Sequence, residues 1–200
     1  SGAGNTVPVF DDGLVYLVSG DSKAWAISAN NGRIKWKIDA IGNDTNLISN
    51  NAPATSEKYA VFGFGNGEIY TTFKKGGYVL WSSSLSGRND GRVISAIDDI
   101  VASPVIVGRN VFVADGSGKV VSLKVESGER NWTAPFGSSG NLWVAGKSLF
   151  FISNTNHLVR LKIKTGDVVW MTELPSFSNK RFGGSKTVSY THLRAHETVV

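Results

Sequence analysis

Hydrophobic positions along this chain fall in short runs broken by polar, glycine-rich stretches, and no segment sustains a convincing helical period. Val111–Ala114 is one such run, apolar and β-branched, and predicts a buried strand. A polar turn follows, and then Val120–Val125, "VVSLKV", whose partly alternating pattern predicts a second strand. The next break carries a glycine, in forms such as "NNG", "KGG", "ESG" and "KTG". Glycine fits there because a hairpin turn with positive φ carries no steric cost without a Cβ. A third strand then ends on a tryptophan. The stretch ahead of the run, "SPVIVG" at Ser103–Gly108, supplies one more strand, with its proline at the start where a missing N–H is tolerated.

This arrangement recurs. Val15–Trp36, Ala60–Trp81, Val111–Trp132 and Leu149–Trp170 are windows of equal length, each ending in tryptophan. Each carries a glycine four residues before that tryptophan, namely Gly32, Gly77, Gly128 and Gly166. Seven residues ahead of each window stand Pro8, Pro53, Pro104 and, in the last unit, Leu142. Successive tryptophans lie 45, 51 and 38 residues apart, so the insertions fall between windows. Four strands per unit at this period predict an all-β fold, a β-propeller of four-stranded antiparallel blades with about four blades in view. One blade cannot cover both of its faces, so blades stack, and Trp36, Trp81, Trp132 and Trp170 are expected to fill the gaps between neighbours.

Composition narrows the function classes. The chain has 200 residues, 41% hydrophobic and 18% charged, which suits a packed domain. No apolar run approaches the roughly 20 residues of a membrane-spanning helix. The net charge of +5 comes from Lys and Arg spread along the whole chain, a solvated basic surface rather than the stripe that nucleic-acid binding calls for. The absence of cysteine excludes disulfides, thiolate metal sites and thiol nucleophiles.

The repeat resembles a known family. "AISANNGRIKW" at Ala26–Trp36 is similar to the tryptophan repeat of quinoprotein-like propellers, A-x-D-x-x-T-G-x-x-x-W, and Lys162–Trp170 keeps the T-G and the Trp. The Asp of that pattern is replaced by Ser28, Phe73, Lys124 and Lys162 in the four units. The dehydrogenase branch of this superfamily uses calcium, a catalytic Asp and commonly adjacent cysteines; this chain lacks the cysteines and any matching carboxylate grouping. Two connectors instead resemble the BamB family of outer-membrane assembly lipoproteins. "NLISNNAPA" at Asn46–Ala54 is similar to that family's L-R-G-x-x-A-P stretch, with Ile48 in the Arg position. "SGRNDGRVISAIDDIVASPVIVG" at Ser86–Gly108 resembles the connector ending D-x-D-x-x-P-V, with Val101 in the place of the second Asp.

The resemblance implies a non-catalytic scaffold, without cofactor or metal, that serves outer-membrane β-barrel assembly in the periplasm, outer-membrane associated. The implied partner is the POTRA region of BamA, met through the connectors at Leu47, Ile48, Asp98 and Asp99. Any lipid anchor would sit upstream. The alternatives are a fragment of a quinone-cofactor dehydrogenase and a generic protein- or sugar-binding propeller. The family ring has eight blades, so residues 1–186 would form about half of one, with both terminal faces uncovered and a resulting tendency to aggregate or fold poorly.

Residues 187–200 break the repeat and resemble non-native read-through tails; His192 and His196 there stand at i, i+4 but not in an H-E-x-x-H order. His157 is expected on a hairpin. "GRNDGR" at Gly87–Arg92 reads as a solvated loop, and "FGSSG" at Phe136–Gly140 as a connector rather than a nucleophile elbow. "DGSGK" at Asp115–Lys119 has the Gly-Lys of a phosphate loop, but the position five residues before Gly118 is Val113 and a strand, not a helix, follows. It is expected to be a hairpin turn.

Overall fold

The computed structural model describes residues 7–20, 22–40, 51–65, 67–85, 102–116, 118–138 and 140–175. They form four antiparallel sheets of four strands, each an unbroken meander. The first blade holds β1 (Val9–Asp11), β2 (Leu14–Ser19), β3 (Lys23–Ser28) and β4 (Ile34–Asp39). The second holds β5 (Ala54–Thr55), β6 (Tyr59–Gly63), β7 (Glu68–Phe73) and β8 (Val79–Ser84). The third holds β9 (Val105–Val107), β10 (Asn110–Ala114), β11 (Val120–Lys124) and β12 (Arg130–Ala134). The fourth holds β13 (Trp143–Ala145), β14 (Ser148–Ile152), β15 (His157–Lys162) and β16 (Val168–Glu173). These are β-propeller blades, as the repeat predicts, and each first strand begins one residue after Pro8, Pro53, Pro104 or Leu142.

The first strands neighbour one another in the order β1, β5, β9, β13 and so form the inner edge of the array. The faces between blades make three separate cores. Tyr16, Val18, Ala24, Ala26 and Ile38 of the first blade meet Ala60, Phe62, Phe64 and Tyr70 of the second. Val61 and Ile69 meet Val111, Val113, Val121 and Leu123. Phe112, Ala114 and Val120 meet Leu149, Phe151, Val159 and Leu161. Alternation along each strand sends one set of side chains to the preceding blade and the other to the following one. Both faces of the inner blades are therefore apolar.

The glycine before each tryptophan has two functions, of which the sequence shows one. Gly32, Gly77, Gly128 and Gly166 hold φ between +68° and +77°. Each closes a turn by donating its N–H four residues back, to the carbonyls of Ser28, Phe73, Lys124 and Lys162. Those are the positions where the family repeat carries Asp. Here their backbone groups make the turn, as when Ser28 and Lys124 also donate their N–H to Arg33 and Glu129, so the side chain is free to vary. A bulge at the same place in every blade, between Ala26 and Ile27, Thr71 and Thr72, Ser122 and Leu123, and Arg160 and Leu161, shifts the register beside the tryptophan.

The second function is between blades. A Cβ on Gly77 would come within 2.6 Å of the Trp36 ring, one on Gly128 within 2.7 Å of Trp81, and one on Gly166 within 2.6 Å of Trp132. Each indole thus lies flat on the bare glycine of the next blade. Its N–H donates to the carbonyl three residues before that glycine: Trp36 Nε1 to Lys74 O at 3.1 Å, Trp81 Nε1 to Val125 O at 2.9 Å, and Trp132 Nε1 to Ile163 O at 3.1 Å. The expectation that tryptophans fill the gaps between blades is met at three of four positions; Trp170 meets no such partner among the described residues.

Candidate protein-binding face

In a meander, the connectors from a fourth strand to the next first strand leave at one end of the blades, together with the hairpins between second and third strands. The other two kinds of turn share the opposite end. Both connectors that resemble the family's partner loops therefore emerge on one face. Leu47, Ile48, Asp98 and Asp99, with the Gly87–Arg92 loop, lie outside the described residues, but the ends of both connectors are described.

Those ends are fixed. Asn51 and Pro53 are buried at the start of the second blade, and Ala102 and Pro104 at the start of the third. Ala52 donates its N–H to Ser103 Oγ at 3.0 Å, so the two connectors are stitched to each other. Ala102 donates to Ala114 O at 2.7 Å. Where the chain leaves a blade it is tied to that blade's own hairpin, with Ala40 N donating to Ser22 O, Leu85 N to Gly67 O and Leu174 N to Asn156 O. Two insertions of different length thus start from rigid, adjacent roots, a common way of holding binding loops.

The "DGSGK" turn belongs to this face and binds its own backbone. Asp115 is fully buried, and one carboxylate oxygen accepts from the N–H groups of Gly118 and Lys119 at 2.9 and 2.8 Å. Lys119 Nζ donates to Leu85 O at 3.0 Å, tying the third blade's hairpin to the connector that leaves the second. Both groups a phosphate site would need are thus committed to structure. Ser138 of "FGSSG" is buried and donates its hydroxyl to Ile152 O at 2.8 Å, which makes it a strut between blades. His157 opens β15, half-buried, with its ring beside Thr155 Oγ1. His192 and His196 lie outside the described residues. Among the described residues no three His, Cys, Asp or Glu side chains gather where they could hold a metal ion.

The opposite end carries a feature that sequence reasoning missed. Lys74, only 4% exposed, reaches Asp11 of the preceding blade at 2.9 Å and Asp12 at 3.9 Å. The Lys74 hydrogen bond holds the Asp11 carboxyl below its usual range, against burial, which pushes it up. Burial pushes the Tyr16 phenol up to about 12, with the charges of Asp11 and Asp12 adding to it. A carboxylate with a lowered folded pKa stabilises above the unfolded value, roughly 3.9, and that contribution disappears as pH falls through the folded value. Asp11→Asn should therefore lower the melting temperature at neutral pH, with the gap to the parent closing below about pH 4 in thermal melts across an acid series. A gap that persisted unchanged at pH 3 would refute the ion-pair account. The partners lie 63 residues apart, and no local pattern links them.

Known proteins share this geometry. The family model for the outer membrane protein assembly factor BamB matches residues 1–172. BamB of Moranella endobia is 26% identical over 144 residues, covering 71% of this chain and 37% of that protein. The quinoprotein alcohol dehydrogenase PedH of Pseudomonas putida is 29% identical over 136 residues, covering 64% of this chain and 22% of the enzyme. Among solved structures, BamB of Moraxella catarrhalis overlays with a TM-score of 0.72 at 17% identity, covering 83% of this chain and 50% of that one. The chain thus spans half or less of these relatives. With a family model matched over nearly all of its blades, the chain belongs to the BamB family of outer membrane protein assembly factors.

Proposed function

We propose that this chain is part of a non-catalytic propeller scaffold that binds partner proteins during assembly of β-barrel proteins into the outer membrane. The observation that carries the reading is the stitched pair of connector roots, Ala52 to Ser103, on a chain whose blades match the BamB model. Roots held this way fix where the two connectors join the blades, and a protein partner needs no more chemistry than complementary shape, hydrogen bonds and charge. By family resemblance the partner is the BamA POTRA region, the contacts are Leu47, Ile48, Asp98 and Asp99, and the compartment is the periplasm.

Reversing one charge tests this. A pull-down with the purified POTRA region should retain the parent protein and lose most of the Asp99→Arg variant. Truncating or inverting one partner of a charged interface contact costs about 2 kcal/mol or more, roughly thirtyfold in affinity. Undiminished capture of Asp99→Arg removes that residue from the contact, and no capture of the parent removes the partner.

The quinoprotein enzymes among the relatives support a second reading, a fragment of a quinone-cofactor dehydrogenase. Titration of the protein with the quinone cofactor and calcium separates the two, because the scaffold reading expects no saturable binding.

A further inference from the structure

At the end of the blades away from the connectors, one junction between neighbouring blades is mismatched. Between the first and second blades, the Lys74 ammonium reaches Asp11 at 2.9 Å and Asp12 at 3.9 Å, and the Tyr16 hydroxyl donates to Lys74 O at 3.5 Å. The repeat register gives the counterparts of these groups at the other two junctions. Between the third and fourth blades Val107, Gly108 and Ile163 stand in the places of Asp11, Asp12 and Lys74, with neither carboxylate nor cation. Between the second and third blades the same places hold Ser56, Glu57 and Val125, so the cation is lost while one carboxylate stays. Val61 there also replaces Tyr16. Two valines thus occupy positions that a lysine and a tyrosine fill one junction earlier, and a cleft of about 420 Å³ lies at this junction.

The walls of the cleft suit a lysine side chain. Tyr59 from the second blade, with Ile106 and Val125 from the third, gives it an apolar lining. Such a surface covers the methylene stem of a lysine while the ammonium seeks a charge. Arg109 and Glu126 also line it, and they satisfy each other at 2.9 Å. Glu57 and Lys58 line the second blade's side, and among the described residues neither forms an ion pair. Glu57 is therefore the carboxylate open to an ammonium, in the place where Asp12 meets Lys74. The charge on Lys58 asks that acidic residues flank the incoming lysine.

We propose that this cleft receives a lysine of a partner protein, carried on an acidic segment, with its ammonium on Glu57 as Lys74 serves Asp11 and Asp12 within the chain. The cleft lies at the opposite end of the blades from the connector roots. It is therefore additional to the surface proposed for the POTRA region, and either can fail without the other.

Titration of the full chain with acetyl-Asp-Lys-Asp-amide, followed through its methyl NMR signals, tests the proposal. The Ile106 and Val125 methyl signals should shift and saturate, and the same peptide with its lysine acetylated should leave them in place. Glu57→Gln should weaken binding about fivefold, the scale of a partly exposed ion pair. Ser56→Asp restores the counterpart of Asp11 and should tighten binding by a similar factor, a gain that no loss of folding can imitate. Val125→Lys should fill the cleft with the chain's own ammonium and abolish binding, with the rest of the methyl spectrum in place. No saturable shift with the parent, shifts indifferent to acetylation, or undiminished binding by Glu57→Gln or Val125→Lys would overturn the proposal.

Discussion

Trp132→Ala should remove about 3–5 kcal/mol of stability, the usual cost of deleting a large aromatic from a packed core, while Trp170→Ala should cost under about 1 kcal/mol as a change near the surface. Both residues close the same repeat, four positions after a glycine, and local sequence does not distinguish them. The difference lies in the neighbour. Trp132 joins the core of Phe112, Leu149 and Leu161, covers Gly166 and donates to Ile163 O. Its loss opens a cavity between the third and fourth blades and strips a carbonyl of its donor. Against a total of roughly 5–15 kcal/mol for an ordinary domain, that single change should uncouple the last blade. Urea unfolding of both variants gives the comparison. Equal losses would show that the tryptophan works within its own blade rather than on the next.

The contrast explains which parts of the fold were legible. Strand number, strand starts one residue after Pro8, Pro53 and Pro104, and the positive φ of the four glycines all follow from local rules on apolar runs, missing N–H groups and absent Cβ atoms. The dock is not local. The Gly–Trp pair read within one window is a turn and a strand end, whereas the pair that touches, Trp36 and Gly77, spans two windows. The spacing carried that information only as a recurrence. The Lys74–Asp11 pair had no recurrence to reveal it, since neither the lysine nor the aspartate repeats in the other blades. The "DGSGK" turn shows the opposite case. The register against the other three windows already argued for a hairpin, and Asp115 capping Gly118 and Lys119 supplies the physical reason.

The candidate site was legible in a different sense. The connectors were recognised by their resemblance, and the structure adds that their roots at Ala52 and Ser103 are joined. Leu47, Ile48, Asp98 and Asp99 remain proposals, because a contact residue on a long insertion is chosen by its partner, and folding energetics leave no periodic trace of it in the chain.

Gly77→Ala should cost nearly as much as deleting Trp36, about 3–5 kcal/mol, although it adds a single methyl group. Two effects combine. A left-handed backbone at φ +70° costs an alanine roughly 1–2 kcal/mol. The new Cβ would also stand 2.6 Å from Cδ2 and 2.7 Å from Cγ of Trp36, so the indole must leave its seat and break its bond to Lys74 O. Gly13→Ala isolates the first effect, because Gly13 has φ +74° and nothing within 4 Å of its would-be Cβ. That variant should lose only the backbone strain. The clash can then be removed from the other side. In a Trp36→Ala background the ring is already gone, and Gly77→Ala should again cost no more than Gly13→Ala. The coupling energy in this double-mutant cycle should be about 2 kcal/mol or more, at the upper part of the range for residues in contact. A cycle that closed additively would mean that Gly77 serves only its turn and that the bare glycine surface is not what seats the tryptophan of the preceding blade.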